Sequence, residues 1–196
     1  MAGKKQFDMD TVLDAAMIQF WRAGYADTSV DDLSRATGLN RSSIYSSLGD
    51  KDTLFLRCLD RYAARYGDKY DAALSGAATE PLAAVRAFFD VTLRRIADPG
   101  LPDGCLIAQS AMATPVLSPA VAAHARQALD FQLTRLRAAL KAGRLTDQDA
   151  ETFAVHVAAV NQSLAVMSRA GASPAQLQAI VNVTVGALSQ ALHARD

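Results

Sequence analysis

Between Thr28 and Lys51 the chain carries side chains suited to gripping a polyanion. Arg41, Ser42, Ser43, Tyr45, Ser46 and Ser47 form one run, with Thr28 and Ser29 before it and Lys51 after it. Short hydroxyls, a guanidinium and a phenol donate well to phosphate oxygens and base edges, and they contribute little to a packed core. Arg41 stands near a helix start, where the helix dipole disfavours a cation, so its placement favours contact with an outside partner. Tyr45 in the middle of the hydroxyl row suits a phosphate. No nucleophile–base pair, glycine-rich phosphate loop or carboxylate cluster accompanies these residues, so neither enzymatic activity nor a cofactor is expected. His124, His156 and His193 are scattered without metal-ligand spacing, and no metal site is expected.

The flanking sequence specifies how such a row is held out. Ser29 caps a short helix, and Asp32 three residues on completes a capping box. Val30, Leu33 and Ala36 face inward at helical spacing, and Ser34 is small enough for a second helix to cross closely. Gly38 supplies the turn because it enters the left-handed region without a Cβ clash. Leu39 plugs the corner, Asn40 caps again, and Ile44 and Leu48 bury the inner side of a second helix. Two short helices joined by a tight turn, the second presenting a polar face, make a helix-turn-helix suited to the major groove.

Composition limits the alternatives. The chain has 196 residues, is 51% hydrophobic with few aromatics and carries zero net charge, which fits a packed, mainly helical protein with only a local basic patch. Residues 1–51 hold six Lys/Arg against seven Asp, and most of those aspartates fall where they would cap helix starts. Cys58 and Cys105 lie too far apart for a metal motif, and free thiols in a reducing cytoplasm are expected. Neither a signal peptide nor a clean apolar span is legible, so a cytoplasmic protein without a membrane partner is expected.

The rest of the chain reads as helix throughout. Helices are expected over Asp8–Ala23, Lys51–Leu74, Pro81–Ala97 and Cys105–Ala113. Another opens at Ser118-Pro119 and stops at Gly143, and two more start at the capping boxes Thr146/Asp149 and Ser173/Gln176. From Thr152 to Leu192 the only formal charge is Arg169. A helix with one face in water normally carries charge on that face. His156, Asn161, Gln162, Gln176, Gln178, Asn182 and Gln190 argue against a membrane hairpin. The pattern is that of two helices buried on two sides, once in their own subunit and once against a second copy. A homodimer with a four-helix interface is therefore expected, its two heads about 34–36 Å apart or a multiple of that, to read a palindrome.

The run from Thr28 to Phe55 resembles the DNA-binding signature of the TetR family of transcriptional regulators, specifically so across residues 8–60. The resemblance implies an all-α fold of about nine helices, a helix-turn-helix head over residues 1–50, and a ligand-binding and dimerisation bundle over 51–196. It implies a homodimer through the last two helices, a palindromic double-stranded DNA operator, and a small-molecule effector that releases a repressor. Tyr45 and Lys51 fall at positions that contact phosphates in the family, and Thr28, Ser29, Arg41, Ser42 and Ser43 match family position types. The chain departs at Ser42, where Gly or Pro is frequent, at Ser47, where His is frequent, and at Leu48, where Phe is frequent. Loss of that histidine removes one phosphate donor.

Helix faces place Tyr62, Tyr66, Phe88, Phe89, Cys105, Gln109, Met112, His124, Phe131 and Asn161 toward a central cavity, a mostly apolar set that suits an uncharged or aromatic effector. The stripe Tyr62, Tyr66, Tyr70 reads as packing before it reads as a ligand box, and Trp21 reads as core between the head and the next helix. Cys105 opens a short helix after Pro102-Asp103-Gly104. Some TetR relatives share Gly-Cys-Leu there and use the cysteine as an electrophile or oxidant sensor, although no basic residue neighbours Cys105 in sequence. Two other readings remain open, such a thiol-based regulator and an all-helical interaction protein that does not bind DNA specifically.

Overall fold

The computed structural model describes residues 7–142 and 145–193. These residues form nine α-helices and no strand: α1 Met9–Ala23, α2 Val30–Thr37, α3 Arg41–Leu48, α4 Lys51–Leu74, α5 Pro81–Ile96, α6 Leu106–Met112, α7 Pro119–Lys141, α8 Asp147–Arg169 and α9 Pro174–His193, with a 3₁₀ turn at Thr114–Val116. Gly143, where α7 was expected to stop, lies outside the described residues.

The helices begin where their caps dictate. Asp8, Ser29, Asn40, Asp50, Ser118 and Thr146 each accept a hydrogen bond from a first-turn N–H. At Ser29 both halves of the capping box with Asp32 are made, and Ser173 and Gln176 exchange the same pair of bonds. Proline occupies the first position of α5, α7 and α9, where a missing N–H costs nothing. Cys105 stands just outside α6 as its N-cap residue and makes no side-chain capping bond.

α4 is the spine. It packs against α1 on one side and against α5, α6 and α7 on the others, while α8 and α9 close the far side of the bundle. The core runs without interruption from the head into the body. Phe20 meets Phe55 edge-on at 4.7 Å between ring centroids, and Trp21 meets Tyr62 edge-on at 5.0 Å. Phe20, Trp21, Phe55, Phe88 and Phe89 are completely or almost completely buried. Each such aromatic is worth several kcal/mol of burial, so α1 is anchored on α4 rather than tethered to it (~3–5 kcal/mol per ring on truncation).

A polar joint reinforces the same contact. Asp14 of α1 receives Arg61 through Nε at 2.6 Å and Nη2 at 3.0 Å, and also pairs with Arg65, while Arg61 reaches Asp10 at 2.7 Å. The Arg61 hydrogen bond and the charges of both arginines hold the Asp14 carboxyl below its ordinary pKa.

Candidate nucleic-acid interface and effector cavity

α2 and α3 are set by their corner. Gly38 ends α2 with φ 71°, and its N–H donates to the Ser34 carbonyl. The Ser34 hydroxyl donates to the Leu39 carbonyl, closing the corner from within. Leu33, Ile44 and Leu48 are buried, whereas Ala36, expected to face inward, is exposed. Two apolar anchors on α3 leave its opposite face free. Arg41, Ser42, Tyr45, Ser46 and Ser47 are exposed there, Tyr45 by 54%, and Ser43 is half-buried at the helix shoulder.

Not every donor expected at this face points outward. Thr28 is fully buried and its hydroxyl donates to the Gly24 carbonyl at 2.6 Å, so it braces the turn ahead of α2. Ser29 is exposed, yet its hydroxyl is engaged with Asp32. Arg41 is held by Asp31 in a two-pronged pair, through Nε at 2.6 Å and through Nη2. Asp31 stands in the first turn of α2, where a carboxylate suits the helix start, and it also holds this arginine. Lys51 is half-buried with Nζ 4.2 Å above the Tyr25 ring, and partial desolvation lowers its pKa. The Tyr25 hydroxyl donates to Asp52, and burial with that carboxylate raises its pKa to about 12. Arg57, which sequence reasoning passed over, donates from α4 to the Ser47 carbonyl at 3.4 Å and so serves the last turn of α3. A basic side chain nine residues beyond the end of α3 is the only trace of this in the sequence.

A cavity of about 520 Å³ opens between α4, the start of α6, α7 and α8. Tyr62, Tyr66, Cys105 and Phe131 of the expected set line it, together with Tyr70, Ile107, Leu129, Gln132, Arg135 and Gln162. Gln162 donates to Gln132 at 2.7 Å on the wall, and Asp71 pairs with Arg135 at the solvent edge. The remaining expected residues are placed elsewhere. Phe88 and Phe89 are core: α5 packs against α4, α8 and α9, and both rings are fully buried there. Asn161 is buried as acceptor for the Thr92 hydroxyl at 2.6 Å, and Thr92 in turn bonds the Tyr70 hydroxyl. His124 meets Asp60 at 2.7 Å, and Met112 belongs to a separate, shallower hollow beside α8 that Cys105 and Gln109 also touch.

Gln109 does something the sequence did not announce. Its amide donates to the carbonyls of Phe20 and Trp21, at 3.2 and 3.1 Å, where α1 ends. Arg169, the only formal charge between Thr152 and Leu192, donates to the Trp21 and Arg22 carbonyls and to Gln109 itself. The head's first helix is therefore capped at its C-terminus by side chains from α6 and α8.

Residues 12–58 match the family model for bacterial regulatory proteins of the tetR family, and residues 81–184 match that for the tetracyclin repressor-like C-terminal domain. The chain belongs to the TetR family. It is a DNA-binding transcriptional regulator. Among its relatives, the HTH-type transcriptional repressor ComR of Escherichia coli K12 is 28% identical over 186 residues, covering 92% of this chain and 89% of that one. YezE of Bacillus subtilis 168, described as an uncharacterized HTH-type transcriptional regulator, is 29% identical over 199 residues, covering 96% and 100%. A cysteine mutant of the TetR family regulator CifR, complexed with 26-base-pair double-strand operator DNA, superposes with a TM-score of 0.84 at 26% identity, over 93% of this chain and 97% of that one. Within this TetR-family chain, the matched N-terminal segment contains α2, α3 and the first turns of α4, and the C-terminal one contains α5 to α8 and half of α9.

Proposed function

We propose that this TetR-family regulator is a repressor that binds a palindromic operator as a homodimer and is released by a small molecule. The observation that carries the reading is the outward face of α3, where Tyr45 and three serines stand in solvent on a helix pinned from behind by Ile44 and Leu48. Residues 1–50 read DNA, and residues 51–196 pair the subunits and sense the effector. In each subunit α3 enters the major groove, Tyr45 and Lys51 hold phosphates, and Arg41 leaves Asp31 to meet a base edge or phosphate. That CifR is seen on operator DNA supports this use of the same fold.

Pairing runs through α8 and α9. Val155, Val166, Met167 and Val183 are exposed there, Val183 by 74%, and from Thr152 to Leu192 the only formal charge, Arg169, is bound to the head. The effector is a small, uncharged or aromatic molecule taken up by the tyrosine- and alanine-rich cavity. Its route to the head is short: Cys105 and Ile107 line the cavity, and Gln109 on the same helix holds the end of α1. A ligand that fits better when α6 is displaced draws the heads out of register, because only differential affinity shifts such an equilibrium. With no membrane-crossing helix among the described residues, action in the cytoplasm fits this role.

Selection of bound sequences from random duplexes, followed by titration at several salt concentrations, tests the reading. A palindromic consensus with log affinity falling steeply against log salt supports it. Weak, flat binding to every duplex would favour the interaction-protein reading instead.

A further inference from the structure

Arg95 is the one charged residue buried among the described residues, at 5% exposure, and no ion pair there involves it. Nη1 donates to the Gly104 carbonyl, while the buried Nε–H meets no acceptor. The guanidinium carbon lies 5.6 Å from the ring centroids of both Trp21 and Tyr66. Ring faces offset part of the cost of burying a cation, but an unmatched donor and an unmatched charge remain expensive. The surrounding tyrosines supply dipoles and no counter-charge.

Arg95 lines a cleft of about 510 Å³ between α4 and α5, which has Tyr66 in common with the effector cavity. Lys69 and Arg94 stand exposed at its edge, and neither forms an ion pair among the described residues. Against these three cations there is one carboxylate, Asp98, which accepts the Gly100 N–H at 2.8 Å. The rest of the wall is apolar: Ala72, Ala73, Ala87, Val91 and Leu101, beside the Tyr66 ring.

We propose that this cleft is a second ligand site, for a small organic acid whose carboxylate meets Arg95 and whose aromatic or short apolar body lies against Tyr66 and Val91. The Nε edge of a guanidinium is one side of the planar fork that pairs with a carboxylate, a fit that a compact inorganic anion uses less fully. An apolar wall beside it selects for an organic body. The site is separate from the effector cavity and shares only the Tyr66 ring with it.

Trp21 is the only tryptophan in the chain and touches Arg95, so its fluorescence reports occupancy of the cleft. Benzoate is titrated into the full-length protein at constant ionic strength, with benzamide as the uncharged match. Benzoate should give a saturable change that benzamide does not. Arg95→Gln should weaken binding about tenfold, as expected for loss of a charge-assisted pair. Lys69→Ala combined with Arg94→Ala alters only exposed residues and should weaken it severalfold, which decides the matter if Arg95→Gln does not fold. Ala128→Phe, which narrows the effector cavity, should leave benzoate binding unchanged. No saturable response, an equal response to benzamide, or unchanged binding in the double variant overturns the proposal. Loss of binding in Ala128→Phe also overturns it, by placing the acid in the effector cavity, and leaves the repressor reading intact.

Discussion

At the scale of single residues, the reading face is held in check by its own counter-charge. Asp31 and Arg41 are both largely exposed, so their pair adds little to stability whatever its geometry. Arg41→Ala should therefore leave the melting temperature almost unchanged while weakening operator binding and relaxing sequence preference. Asp31→Ala should do the opposite to affinity. With Arg41 released, binding to any duplex should tighten, whereas in Arg41→Ala the slope of log affinity against log salt should flatten by about one per head, as measured by fluorescence anisotropy. An unchanged slope would mean that Arg41 meets no phosphate. The two cysteines differ as sharply. Burial pushes the Cys58 thiol up to about 12, whereas Cys105 is half-buried at the cavity wall. In the folded protein iodoacetamide should label Cys105 and leave Cys58 untouched until the chain unfolds, which peptide mass mapping would read directly.

At the scale of elements, corners and joints carry the design. Gly49 joins α3 to α4 with φ 86°, and a Cβ there would lie 2.9 Å from the Thr53 side chain. Gly49→Ala should cost more than the ~1 kcal/mol of an ordinary left-handed glycine, because the added methyl must also displace Thr53. Gly38 has the same need for positive φ but open space around it, so Gly38→Asn should be tolerated better than Gly49→Ala in urea unfolding. The joint of Asp14 with Arg61 and Arg65 predicts a pH dependence. Its carboxyl titrates lower in the folded chain than at its ordinary 3.8, so its contribution is fully present above that value. The contribution is lost as pH falls below it through the folded value. Asp14→Asn should lower stability at neutral pH and flatten the acid side of the stability curve.

Elements were also where the sequence spoke most clearly. Lys51–Leu74 appears over the residues expected, because Asp50 caps one end and an unbroken apolar stripe carries the other. Lateral facing was harder. Phe88 and Phe89 look like cavity residues on a helical wheel, but α5 packs against α4, α8 and α9 and both rings are fully buried in that core. Gln109 and Asp31 find partners on other elements and Thr28 finds its own four residues upstream, and polarity alone does not say whether a donor will meet solvent, a ligand or a carbonyl. Tyr45 and its serines were legible for the converse reason: two anchors at Ile44 and Leu48 leave an eight-residue helix only one way to face.

At the scale of the molecule, the proposed homodimer rests on α8 and α9, and a charge placed on the apolar face is its test. Val183→Glu should shift the protein to monomer in analytical ultracentrifugation without unfolding it, since Val183 is exposed within the subunit. Operator affinity should then fall by about a hundredfold or more, because the second head no longer binds at the effective concentration set by the first. A monomer that kept full affinity would remove the case for paired heads.

The C-terminus of α1 is capped by Arg169, the last residue of α8. In the proposed dimer, a helix that pairs the subunits also holds the end of a reading head, so the fold keeps two kinds of information on different parts of the chain. On that proposal the letters of the operator would belong to the outward side of α3, and the number of base pairs between half-sites to the grip of Arg169 and Gln109 on three carbonyls. One can drift without the other. A lineage carrying this architecture is free to change the length of the gap it recognises by substitutions far from any base, and to keep its vocabulary while it does so.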